Sequence, residues 1–182
     1  MLLVVTAVAV ACGLFPVFFP PLPGMDDFAP QGTIDAKYAW KLFGGRSIAE
    51  VKKVLEQDEY PEILIDEFQW MGDRAFVFYF PVVEDYVMAP CKQHYEFRHN
   101  RSEYLASCIM QRFHGDVSLE AKTIAGRVSD LASFVLARID EIKCDDYERG
   151  RIVKEWTYLK ESAELAEAQQ EPPKREGRQT GG

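Results

Sequence analysis

The stretch Ala75-Phe76-Val77-Phe78-Tyr79-Phe80-Pro81-Val82-Val83-Glu84-Asp85-Tyr86-Val87-Met88 decides how this chain is read. Its first half is a run of aromatic and β-branched side chains, the types that fit a pleated, half-buried surface, and it reads as a mostly buried strand over 75–80. Pro81 has no amide to give to a ladder, so it limits that strand or sets it at an edge or bulge, and 82–88 reads as a third strand. Working backward, Met71-Gly72-Asp73-Arg74 is a turn signal and Glu62 to Trp70 is rich in β-formers, which supplies the first arm of an antiparallel pair. Working forward past Ala89-Pro90, Cys91 to Arg98 adds a fourth strand with Tyr95 and Phe97 facing inward.

The flanks read as helices. Ala36, Ala39, Trp40 and Phe43 recur at steps of three and four within Asp35 to Phe43, and Gly44-Gly45 ends that segment. Ser47-Ile48-Ala49-Glu50 matches a capping box, in which the hydroxyl and the carboxylate each satisfy an amide of the first turn, and a helix over 48–57 follows. On the other side, Asn100-Arg101-Ser102-Glu103 opens a short helix with Leu105, Cys108, Ile109 and Phe113 on one face and Gly115 as its stop. Val117, Ala121, Ile124, Val128, Leu131, Val135, Ile139 and Ile142 then mark one apolar stripe over about 26 residues. The stripe fails beyond Cys144 and resumes in a new phase at Ile152, Trp156, Leu159, Ala163 and Ala166, which predicts a helical hairpin turning at Cys144-Asp145-Asp146 in preference to one long helix kinked at Gly150.

The fold class expected is therefore α+β: a small antiparallel β-sheet packed with helices, a C-terminal helical hairpin, and one hydrophobic helix in front. That leading segment, residues 1–25, carries no charged side chain until Asp26 and Asp27. Nineteen residues of helix rise roughly 28 Å, close to the hydrocarbon thickness of a bilayer, before Pro16, Pro20, Pro21 and Pro23 close the run. It predicts a single-pass anchor holding the protein to a membrane through residues 1–23. A cleaved signal peptide at Ala9-Val10-Ala11 and a lipidated Cys12 are the alternatives. Lys37, Lys41 and Arg46 follow the span at some distance and lean the rest weakly toward the cytoplasmic side without fixing it. The expected organisation is thus 1–25 anchor or signal segment, 26–168 one α+β domain, and 169–182 a disordered tail without apolar residues.

Composition narrows the function. With 29 acidic against 21 basic residues the formal charge is −8, which speaks against nucleic acid as a partner, because such proteins concentrate Lys and Arg to displace counterions. Four cysteines, one of them in the leader, form no C-x-x-C pair and no dense disulfide framework. The densest set of potential metal donors is Cys91, His94, His99 and Cys108, yet the nine-residue gap and the inward face expected for Cys108 do not suit a tetrahedral site. Neither Gly-x-Ser-x-Gly nor a phosphate-binding loop is present. The carboxylate pairs Asp66-Glu67, Glu84-Asp85 and Asp145-Asp146 are explained by surface solvation, and Asn100-Arg101-Ser102 by capping.

Residues 36–80 loosely resemble the small outer-membrane assembly lipoproteins of ααβββ fold. The likeness lies in Gly44-Gly45-Arg46-Ser47 leading into a capped helix and in a hairpin containing Trp70. The glycine-proline step usual after the second helix is replaced by Gln57 to Pro61, and the C-terminal helices have no counterpart, so no assignment is carried over.

A chain with an anchor, long amphipathic helices and no convergent catalytic set reads as a membrane-tethered, non-enzymatic protein-interaction or assembly domain, with a protein partner or a second copy of itself. Trp156, Tyr158 and Leu159 on the last helix are the expected partner contacts, and no cofactor is expected. The rival reading is a small-ligand binder or enzyme using a pocket lined by Phe76, Phe78, Tyr79, Tyr95 and His94.

Overall fold

The computed structural model describes residues 21–28, 32–57, 66–88, 102–142 and 144–170. Those residues form helices and connecting turns, with no strand among them. In chain order the helices are α1 (Met25–Phe28), α2 (Ile34–Phe43), α3 (Ile48–Gln57), α4 (Asp73–Met88), α5 (Ser102–Met110), α6 (Leu119–Lys122), α7 (Ala125–Ala137) and α8 (Asp146–Ala168). Two 3₁₀ turns, Glu67–Trp70 and Ile139–Glu141, stand before α4 and after α7.

The α+β expectation is overturned at the stretch that carried it. Asp73–Met88 is one helix, and its buried residues Ala75, Phe76, Tyr79, Phe80, Val82 and Val83 recur at helical spacing. A strand would have separated Phe76, Phe78 and Phe80 from Val77 and Tyr79; instead Val77 and Phe78 are the half-buried ones. Strand propensity measures side-chain packing more than backbone preference, so a helix that buries the same rings wins. Pro81 sits inside this helix. It deprives the Val77 carbonyl of its i+4 donor, a cost of about 3 kcal/mol in an exposed helix. Each large apolar side chain fully buried returns roughly 1.5–3 kcal/mol, and Phe76, Tyr79, Phe80 and Val83 are all at 0 % exposure. The 3₁₀ turn Glu67–Trp70 occupies part of the expected first strand, while 89–101, including the expected fourth, lies outside the described residues. Without the hairpin, the likeness to ααβββ lipoproteins has no structural counterpart.

The anchor expectation is corrected as well: among the described residues no helix is long and apolar enough to cross a membrane. Residues 1–20 of the expected span lie outside them. Residues 21–24 lead directly into the four-residue α1, whose Phe28 is fully buried against the core.

The helices expected at 35–43 and 48–57 are present as α2 and α3. The capping box holds: the Glu50 carboxylate accepts from the Ser47 amide at 2.7 Å, and the Glu50 amide donates to Ser47 Oγ at 3.3 Å. Donation from the Ser47 amide, and then from its hydroxyl, holds the Glu50 carboxyl below its ordinary range. The exit of α2 needs both glycines. A Cβ on Gly44 would fall 2.2 Å from the Trp40 ring, and Gly45 has φ of +71°, in the left-handed region. The long stripe over 117–142 is broken into α6, α7 and the second 3₁₀ turn, and α8 begins where the phase change occurs. Asp145 caps it, accepting from the Glu148 amide at 2.8 Å.

Two packing regions result. In the first, α1, α2, the first 3₁₀ turn and α4 enclose an aromatic layer of Phe28, Trp40, Phe43, Phe68 and Tyr79, with ring centroids 4.9–5.9 Å apart. In the second, α8 lies along α7 and also packs on α5. Small side chains let the backbones approach there: Ala125, Ala132, Ala163 and Ala166 are buried, and Gly126 faces Glu167.

Candidate functional site

Three groups of polar or aromatic residues merit a chemical reading. The first surrounds Arg112, just past α5. Its guanidinium donates to Asp73 Oδ1 at 3.1 Å, to the Gln69 carbonyl at 2.9 Å and to the Met71 carbonyl. The same group lies 5.7 Å from the centre of the Phe76 ring. Burial pulls Arg112 below its ordinary value and the Asp73 carboxylate opposes that pull, so it stays charged and fastens the 3₁₀ turn to the start of α4. Close by, Gln69 donates to the Tyr104 hydroxyl, and burial pushes the Cys108 thiol up to about 11. A buried thiol held protonated at neutral pH is a poor nucleophile. Burial, then Asp35 and Asp66, raise the Glu67 carboxyl. These contacts hold chain segments together rather than converge on a vacant point.

The second group is Tyr79. Its hydroxyl lies 2.6 Å from the Phe43 carbonyl and 2.7 Å from the Arg46 carbonyl, and donates its single proton between them. It therefore adds a side-chain donor to one carbonyl at the end of α2 and one just beyond it. Burial pushes this phenol up to about 12, which keeps it a donor. Phe76 and Tyr79, expected as pocket lining, are core residues, Phe78 is half-buried, and Tyr95 and His94 lie outside the described residues. Of the expected metal donors, Cys91, His94 and His99 also lie outside them, and Cys108 is buried. No group of three or more His, Cys, Asp or Glu able to hold a metal occurs among the described residues.

The remaining carboxylate pairs have assignable roles. Glu84 accepts from Arg127, Asp85 pairs with Lys52, and Asp145 caps α8.

The third group is on α8, where the expected partner contacts fall. Trp156 and Leu159 are both at 0 % exposure. Trp156 Nε1 donates to Ser102, 3.0 Å from its carbonyl and 2.9 Å from its hydroxyl, and so ties α8 to the first turn of α5. Only Tyr158 of the three is open, at 47 %. It belongs to a stripe that sequence reasoning missed. Positions 147, 151, 154, 158, 161 and 165 recur at steps of four and three, opposite the buried Ile152, Trp156, Leu159, Ala163 and Ala166. All six are exposed, with Tyr147 at 72 % and Leu165 at 63 %.

This outer face combines two rings, one Leu and three charges on a 23-residue helix. It is also partly pre-set. Arg151 Nη2 donates to Glu103 Oε1 at 2.5 Å, and its guanidinium carbon lies 5.8 Å from the centre of the Tyr147 ring. Aromatic and Arg side chains held in place on a rigid helix are the residues that dominate protein–protein contacts. The signal available in the sequence is the same 3.6-residue period, shifted half a turn from the stripe that the helix buries.

No known family model matches the chain, and neither a curated protein nor a solved structure does so.

Proposed function

We propose that this chain is a non-enzymatic, helical protein-interaction domain whose binding surface is the outer face of α8. The observation that supports it is the exposure of Tyr147, Tyr158 and Leu165 on one side of a helix whose opposite side is anchored through Trp156. An anchored helix loses little freedom when a partner lands on it, which favours binding. The buried Arg112 and Tyr79 are engaged in holding the fold, which lends no support to the rival enzymatic reading.

Deleting residues 145–168 would remove Trp156 and Leu159 from the core, so the surface has to be tested by single exposed positions. A photo-crosslinking amino acid placed at position 158 is expected to give discrete protein adducts in cells, and Leu165→Glu is expected to abolish them. The same crosslinker placed at position 130, occupied by the exposed Asp130 on α7, is the control. Adducts from position 158 no more frequent than from position 130 would overturn the proposal.

A further inference from the structure

We infer that the partner of the α8 outer face is a second copy of the same chain, paired antiparallel about the level of Trp156. This inference rests on the reading of that face as a binding surface and goes further by naming its occupant. The order of side chains along the stripe carries it. That order is Tyr147, Arg151, Lys154, Tyr158, Glu161, Leu165. Turning a second copy end for end sets Tyr147 against Leu165, Arg151 against Glu161 and Lys154 against Tyr158, and the two-fold axis repeats each pairing.

Every position thus meets a complement: an aromatic ring meets an aliphatic side chain, a guanidinium meets a carboxylate, and an ammonium meets an aromatic face. Parallel pairing would instead set Arg151 on Arg151 and Glu161 on Glu161, like charge against like. A two-fold interface requires one patch to complement itself under reversal, and this sequence of six does so. Arg151 is already held between Glu103 and Tyr147, with its side chain 53 % exposed, so its free edge points outward. The stripe is roughly 27 Å long and one helix wide. Such a face is smaller than the about 1,200–2,000 Å² of stable complexes, so the pairing is reversible and concentration-dependent.

A charge exchange on the full chain tests both the occupant and the register. Wild type is expected to show reversible monomer–dimer exchange in sedimentation equilibrium. Arg151→Glu alone sets a carboxylate against Glu161, and Glu161→Arg alone sets a guanidinium against Arg151. Each is expected to weaken self-association at least about tenfold. Mixed together, the two variants set the introduced carboxylate of one chain against the introduced guanidinium of the other, and Glu161 of the first against Arg151 of the second, so the mixture and the double variant Arg151→Glu with Glu161→Arg each restore both opposite-charge pairs and are expected to associate with wild-type strength. If Arg151→Glu fails to fold because it faces Glu103, Tyr147→Lys combined with Leu165→Glu applies the same logic at two well-exposed positions.

A monomer at every concentration, single variants that self-associate like wild type, or a double variant that stays monomeric while folded would each overturn the inference. The crosslinking experiment separates its failure from that of the interaction reading. Adducts from position 158 that contain only other proteins would leave the surface standing and remove the second copy.

Discussion

The aromatic layer around α4 and the seam between α7 and α8 reach the same burial by opposite means. In the first, large rings meet edge to face and single hydrogen bonds, such as those of the Tyr79 hydroxyl, fix where each helix ends. In the second, small residues let two helices lie close along their length, and one large ring, Trp156, anchors α8 to α5 beside that seam. The difference teaches where the molecule has room to change. A layer of interlocked rings commits its helices on several sides, whereas a seam of small residues holds α8 by one side and leaves the other for contact with a partner.

The sharpest way to break that contrast is at the anchor. Trp156→Ala is expected to destabilise the fold by about 3–5 kcal/mol, because it opens a ring-sized cavity and strips Ser102 of its donor. Tyr158→Ala, two residues away, is expected to change stability by no more than about 0.5 kcal/mol. Urea unfolding of the two variants measures both.

The glycines of the two regions give the next largest effect. Gly44→Ala drives a methyl into the Trp40 ring, which is wedged against Phe28, and is expected to cost about 1–3 kcal/mol. In Gly126→Ala the new methyl meets Glu167 Oε1 at 2.7 Å, the end of a side chain that can swing away. The helix-propensity gain of about 0.5–1 kcal/mol then decides the sign, and thermal unfolding is expected to show a stable or slightly stabilised protein.

The smallest effect is electrostatic. Glu67 binds its proton more tightly when folded than when unfolded, so its contribution to stability is lost as pH rises through its folded value. Glu67→Gln is accordingly expected to raise the melting temperature at pH 7 and to lose that advantage near pH 4. An equal gain at both values would remove burial of the charge as the cause.

How much of the fold is legible in the sequence depends on which signals compete. Caps and periodicity locate α2, α3 and α8, because Ser47-Glu50 satisfies amides that only a helix start leaves open and the stripe through Ile152, Trp156 and Leu159 marks the face that α8 buries. The stretch 75–88 misleads because ring and β-branched content favours a strand while the spacing of Ala75, Phe76, Tyr79 and Phe80 favours a helix, and Pro81 argues against both. Tertiary burial settles that contest, and a single chain does not display it. The long 117–142 stripe hides two interruptions, since an apolar side chain in a 3₁₀ turn keeps nearly the same spacing. At the candidate site, the apolar character that marks Trp156 and Leu159 as contacts is what buries them, and only Tyr158 is left at the surface. The outer stripe is hard to see because its charges break the apolar pattern that marks an amphipathic face.

The clamp at Arg112 has a consequence for the order in which the chain comes apart. One guanidinium, placed just beyond α5, holds carbonyls at Gln69 and Met71 and a carboxylate at Asp73 across about forty residues of intervening chain. The 3₁₀ turn has few backbone bonds of its own, so while Phe68 keeps its inner side in the aromatic layer, its outer side depends on this clamp. Replacing Arg112 by Ala is accordingly expected to speed hydrogen exchange at the amides of the turn and of α5 together, two segments distant in sequence that share one clamp.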